Sequence, residues 1–184
     1  AQSGQLTSPN GKVRFTTHIS NPAKGELVYQ ISYNGEPVIL ESLLGISGWE
    51  QNLEIENIIP TSVNTEWKTV YGERSVVKDH YNQKPYVLKT KGRGDRLELI
   101  VRAYDSGIAF RYRYAGGSYL RITSEKTTFV VPSDTYCWFA PYAQAEHTRM
   151  PVKDWPGEAE RPLTLQLSNG LYASLAEAEM VDYS

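Results

Sequence analysis

Hydrophobic side chains return at every second position through much of this chain. In 12–19, Val13, Phe15 and Ile19 fall on one face, with Lys12, Arg14 and His18 on the other. In 27–33, Leu27, Tyr29, Ile31 and Tyr33 alternate with Val28, Gln30 and Ser32. Leu97, Leu99, Val101 and Ala103 share a face, as do Ile108, Phe110, Tyr112 and Tyr114. Leu163, Leu165 and Leu167 repeat the period near the other end. A strand sends successive side chains to opposite faces, so this period buries one face and wets the other.

The punctuation agrees. Asn10-Gly11, Asn34-Gly35 and Asn169-Gly170 each sit between strand-like segments. Both residue types tolerate positive φ, which two-residue type I′ hairpin turns require. Asp105-Ser106-Gly107 reads as a further tight hairpin between two strong strands. No segment predicts a helix longer than two turns. Residues 140–150 are expected to form at most one turn, and 151–162, with its prolines and glycines, is expected to be loop. Many short strands, hairpin turns and no long helix predict an all-β sandwich or barrel.

Composition narrows the class. The chain has 184 residues, the size of about one domain. A TIM barrel needs ~250 residues, so this chain alone is not one. Nineteen basic against 21 acidic residues leave a net charge of −2, which removes the electrostatic case for a nucleic-acid partner. No apolar run approaches the ~18 residues of a membrane-spanning helix, so no membrane partner is expected.

Candidate chemistry is sparse. Cys137 is the single cysteine, which excludes an intrachain disulfide and predicts a small buried thiol. His18, His80 and His147 are far apart in sequence and make a weak metal triad. Lys91-Gly92-Arg93-Gly94-Asp95-Arg96 is glycine-rich and basic, but it lies between strands and reads as a solvated hairpin loop rather than a phosphate cradle. Thirteen tyrosines against four phenylalanines point to amphipathic contact surfaces. Trp138, Tyr142 and Trp155 flank the long 140–160 segment and form a candidate sugar-stacking platform. Glu177, Glu179 and Asp182 cluster near the end, and in an extended strand Glu177 and Glu179 face the same way. Hard cations such as calcium take six to eight oxygen ligands, so such a pair contributes to a site but does not fill one.

Several segments, taken together and in order, resemble the N-terminal domain of glycoside hydrolase family 97. They are Leu6-Thr7-Ser8-Pro9-Asn10-Gly11-Lys12, Leu27-Val28-Tyr29-Gln30-Ile31, Pro37-Val38-Ile39 and Ser42-Leu43-Leu44-Gly45. Tyr71-Gly72-Glu73 and His80-Tyr81-Asn82 follow. The most specific is Arg102-Ala103-Tyr104-Asp105-Ser106-Gly107-Ile108-Ala109-Phe110-Arg111-Tyr112, and Glu177-Ala178 with Asp182-Tyr183 completes the series.

The resemblance implies a β-super-sandwich of the galactose mutarotase-like type, spanning 1–184 and cut short at its C-terminal end. In the family this domain packs on a catalytic TIM barrel of the same polypeptide. The parent enzymes are exo-acting α-glycosidases, inverting α-glucosidases or retaining α-galactosidases, acting on α-linked oligosaccharides. The resemblance further implies an active-site calcium to which the domain lends one carboxylate, Glu177 by motif, with Glu179 the fallback should the alignment slip. It assigns no catalytic residue here, and it implies a chain inactive by itself and a periplasmic or secreted protein. The opening Ala1-Gln2-Ser3 is compatible with signal removal. The competing reading is a stand-alone carbohydrate-binding module built on Trp138, Tyr142 and Trp155. An aldose epimerase would need a paired acid and base that none of the three histidines nominates, and a bare scaffold for a barrel is the plainest alternative.

Overall fold

The computed structural model of the chain describes residues 3–20, 24–90, 92–116 and 119–178. Among the described residues there are thirteen β-strands, one 3-10 turn and no α-helix. The chain divides into two compact units, Ala1–Val130 and Val131–Ser184.

The first unit is a sandwich of two antiparallel sheets. One sheet runs β1 (Ser3–Thr7), β2 (Val13–Ile19), β3 (Leu27–Tyr33) and β4 (Glu36–Leu44) in that order. The other contains β5 (Leu53–Asn57), β6 (Thr61–Lys68), β7 (Val76–Thr90), β8 (Leu97–Tyr104) and β9 (Gly107–Tyr114). Its order is β5-β7-β8-β9, with β6 also on β7. The alternation read from the sequence is the reason the sheets close on each other. Phe15, Leu27 and Tyr29 from the first sheet and Tyr86, Leu97, Leu99 and Val101 from the second are almost fully buried. Phe15 lies 6.1 Å from the Tyr86 ring, and Tyr29 lies 6.0 Å from Phe110, so aromatic contacts bridge the two layers. Each such side chain contributes about 1.5–3 kcal/mol of burial free energy. Burial also pushes the phenols of Tyr29 and Tyr86 well above their ordinary pKa.

The hairpins follow the turn chemistry, with one refinement. Asn34 and Gly35 have φ of 50° and 86° and join β3 to β4 with Tyr33 opposite Glu36, the expected type I′ geometry. Tyr104 pairs with Gly107, so Asp105-Ser106 is a two-residue loop. The other two Asn-Gly pairs make hairpins of a different kind. At residues 8–12 only Gly11 has positive φ. There Ser8 anchors the turn, its hydroxyl accepting from the Val13 amide and its carbonyl from the Gly11 amide. At 168–170 the Gly170 amide donates to Leu167 O and the Leu167 amide to Leu171 O. That is a three-residue loop with glycine in the left-handed position.

β7 is the spine of its sheet. It is 15 residues long, and on one side it pairs with two strands in succession: β6 opposite 76–83 and β5 opposite 86–90. Pro85, which has no N–H, stands where one ladder has stopped and the next has not begun. Residues 124–130 run beside β4 with a single isolated β-bridge, Glu125 to Ile46, and bond partly through side chains. The Leu43 amide donates to Thr128 Oγ1 and the Val130 amide to Ser42 Oγ.

The second unit is a four-stranded antiparallel sheet. Its order is β11 (Thr148–Pro151), β10 (Tyr136–Phe139), β12 (Leu163–Gln166) and β13 (Tyr172–Leu175). One face carries its buried residues Cys137, Phe139, Leu163 and Leu165. The thiol is thus buried as expected, and burial raises its pKa. Of 140–150, residues 142–145 form one hydrogen-bonded turn, the Ala145 amide donating to Tyr142 O at 2.9 Å, and from Thr148 the chain enters β11, which pairs with β10. The 3-10 turn falls later, at Val152–Asp154, inside the segment expected to be loop.

Candidate functional site

Antiparallel register places the sequence-nominated carboxylate. β12 and β13 pair with Leu163 opposite Leu175 and Thr164 opposite Ser174. Carrying that register two residues beyond the ladder sets Arg161 opposite Glu177, and the two side chains form an ion pair. Glu177 is 46% exposed and Arg161 50%, so the pair stands at the wet end of the hairpin, where screening makes it worth little to stability. Arg161 carries no sequence signal of its own; only the hairpin register reveals it. Glu179 and Asp182 lie outside the described residues.

Among the described residues no group of three or more His, Cys, Asp or Glu side chains is placed to hold a metal. Glu177 therefore stands apart from any cluster of carboxylates among the described residues, with Arg161 as its partner. The three histidines stand in separate segments of the fold. His18 faces Glu41 at 3.4 Å at the surface, His80 lies in β7 opposite Asn64, and His147 precedes β11.

The basic loop before β8 connects β7 to β8 as a hairpin, as expected, but its Arg93 is engaged by the protein rather than solvated. Arg93 donates from Nε and Nη2 to the two oxygens of Asp95, at 2.9 and 2.7 Å, and from Nη1 to Gly48 O. Its guanidinium lies 4.9 Å from the buried Trp49 ring. Arg93 first, and then the Tyr114 hydroxyl, hold the Asp95 carboxyl at a pKa of about 2. A fork already committed to Asp95 and an indole face is a clamp on the Trp49 pocket rather than a phosphate ligand.

The most specific sequence motif turns out to share one sheet face with another. Arg102 lies 4.4 Å over the Tyr81 ring and donates to Gln83 Oε1 at 2.8 Å. Tyr104 packs 5.1 Å from Tyr81 and donates to Asp79 Oδ1 at 3.3 Å. Thus His80-Tyr81-Asn82 and the motif from Arg102 meet because β7 and β8 pair Tyr81 with Tyr104.

The proposed platform of three aromatic residues does not assemble. Trp138 and Phe139 are neighbours in β10 and so leave on opposite faces. Trp155 packs edge-on against Phe139 at 6.2 Å, whereas Trp138 meets Tyr172 at 5.9 Å. Tyr142 has no place in either pair. Their nearness in the 138–155 segment groups them in sequence, and strand alternation separates them.

Comparison with known proteins gives these features a context. The chain is 25% identical over 163 residues to a probable retaining α-galactosidase of Streptomyces bingchenggensis, covering 85% of this chain and 25% of that protein. It is 26% identical over 134 residues to a retaining α-galactosidase of Bacteroides thetaiotaomicron, covering 70% and 19% respectively. A solved glycoside hydrolase family 97 enzyme of Pseudoalteromonas sp. strain K8, in complex with panose, superposes with a TM-score of 0.86. It is 26% identical and is matched over 98% of this chain and 29% of its own. This chain thus spans a quarter or less of those two galactosidases and under a third of that enzyme. The sequence profile of the glycosyl-hydrolase 97 N-terminal family matches residues 6–184, nearly the whole chain, and the chain belongs to that family.

Proposed function

We propose that this chain is the non-catalytic N-terminal sandwich of a calcium-dependent, exo-acting α-glycosidase, an α-galactosidase or α-glucosidase. In this reading it supports a catalytic TIM barrel of the same polypeptide and lends Glu177 to the active-site calcium. The substrate is an α-linked oligosaccharide, and the enzyme works in the periplasm or outside the cell. The observation that carries the reading is the family match over nearly the full chain, combined with relatives several times longer.

The geometry supports a ligand role for Glu177. A carboxylate at the end of a pinned hairpin is held in direction by its neighbours yet open to an incoming partner. Bound calcium would organise nearby carboxylates and favour their ionised forms. Glu177 supplies one oxygen donor to that shell and, through it, ties the second unit to the barrel. An exposed apolar tip in the first unit supports the partner reading as well. Trp67, Val70 and Tyr71 are 55%, 97% and 90% exposed around the β6–β7 hairpin, the kind of surface a larger assembly covers.

Calcium titration of the complete, barrel-bearing polypeptide tests the reading, comparing wild type with Glu177→Gln. The variant is expected to bind calcium more weakly and to turn over more slowly. Unchanged affinity and unchanged turnover would remove Glu177 from the site. Separately, hydrolysis of a nitrophenyl α-glucoside or α-galactoside by this chain alone would overturn the non-catalytic assignment.

A further inference from the structure

Register sets a run of side chains of the second unit on the face opposite its buried residues. Tyr136 lies opposite Pro151 in β11 and Gln166 in β12, and Gln166 lies opposite Tyr172 in β13. Trp138 lies opposite Arg149 and Thr164. The long side chains lie flat across the strands. The Arg149 guanidinium sits 3.8 Å from the centre of the Tyr136 ring and 5.9 Å from that of Trp138. Beyond Tyr136 it donates from Nε to Gln166 Oε1 at 3.0 Å. Trp138 and Tyr172 lean together over the intervening strand, their rings 5.9 Å apart and tilted by 33°. Tyr172 is 62% exposed.

The state of Arg149 is the informative part. Among the described residues no carboxylate pairs with it, and the bond to Gln166 occupies one of its five N–H donors. Stacking on Tyr136 and the Nε bond fix its plane in advance, so the remaining donors form a preset fork beside two aromatic rings. A partly exposed aromatic pair, a planar donor fork and an amide side by side match one ligand chemistry well. That ligand is a pyranose ring, with an apolar C–H face for the rings and vicinal hydroxyls for the fork. A lone cation is too little charge for a nucleic acid, and the polar pair Thr164 and Gln166 in the strand between Trp138 and Tyr172 suits an apolar protein partner poorly.

We propose that this face is a binding site for a neutral hexopyranoside, with Trp138 and Tyr172 stacking on the sugar and Arg149 donating to adjacent hydroxyls. It uses neither Glu177 nor calcium, so it stands or falls apart from the function proposed above. Maltotriose and raffinose are titrated into the protein, followed by saturation-transfer NMR and calorimetry, beside Tyr172→Ala, Arg149→Gln and Trp138→Ala. Saturable millimolar binding is expected for at least one of the two sugars. Each substitution is expected to weaken it by about tenfold or more, a loss of ~1.4 kcal/mol. Tyr172→Ala and Arg149→Gln change exposed side chains and keep the test valid if Trp138→Ala does not fold. Absence of saturable binding to both sugars, or wild-type affinity in Tyr172→Ala and Arg149→Gln, would each overturn the proposal.

Discussion

The backbone amide of Asn10 donates to Asp105 Oδ1 at 2.9 Å, across 95 residues of chain. Both residues sit at hairpin tips, one between β1 and β2 and the other between β8 and β9. The bond therefore ties the two sheets of the sandwich at one end. It also gives a physical reason for two motifs that looked independent in the sequence. Asn10 works on both sides of its turn, since its Oδ1 also accepts from the Lys12 amide at 2.9 Å.

Replacing Asp105 with Ala leaves the Asn10 amide to water and removes the tie. Because the site is exposed, the expected cost is about 0.5–1.5 kcal/mol. Asp105→Asn keeps an acceptor and should recover most of that loss. Urea unfolding of the two variants checks the order, and equal stabilities for Asp105→Ala and wild type would show that the tie contributes nothing.

Phe15 is the aromatic centre of the sandwich, stacked on Tyr29 at 5.7 Å and tilted against Tyr86 at 6.1 Å. Phe15→Ala empties a fully buried position and is expected to cost about 3–5 kcal/mol, with Phe15→Leu costing clearly less. Thermal or urea denaturation measures both. A loss under about 1 kcal/mol for Phe15→Ala would contradict this packing.

Gly25 has φ of 64°, and a Cβ there would stand 2.8 Å from Asn52 Cα and 2.9 Å from Asn52 N. Both obstacles are backbone, so no rotamer change relieves them. Gly25→Ala should therefore destabilise more than Gly35→Ala, where φ is similar but the space is open. Paired unfolding curves decide, and the reverse order would refute the close approach.

The Asp95 clamp makes a pH prediction. Its folded pKa, about 2, lies below the ordinary value of 3.8, because Arg93 and Tyr114 bond the ionised form. A depressed carboxylate contributes stability above its unfolded pKa and loses it as pH falls toward the folded one. Wild type should thus lose an increment between about pH 4 and pH 2 that Asp95→Asn lacks. Stability profiles of the two proteins are compared in that window. Parallel profiles would mean that the clamp is not formed.

The strands that alternate cleanly were legible from residues alone, because Phe15, Tyr29, Leu99 and their neighbours bury one face of each. β7 was not. Its sequence, rich in Lys, Asp, His, Asn and Gln and interrupted by Pro85, carries no simple period. It is a strand because it is held by neighbours on both sides, a tertiary cause that a local pattern does not record. The same limit applies at the sites. Motif nominates Glu177 as a candidate, whereas its partner Arg161 needed the register of β12 on β13, and Tyr172 needed the pairing that carries it over to Trp138. Trp155 was misplaced for the converse reason: nearness in a loop says nothing about which face of a strand a ring will meet.

The divided edge of β7 has a consequence for motion. Its first half pairs with β6, whose residues are mostly exposed, and its second half holds Tyr86, Val87 and Leu88 in the core. One continuous strand thus belongs to two levels of local stability. Amide hydrogens around 76–80 should exchange through opening of the hairpin alone, whereas those of 86–88 should wait for the whole sandwich to unfold. In mechanical terms, β7 is a rod with one end free to fray and the other set in the body of the protein, and the boundary between the two lies near its single proline.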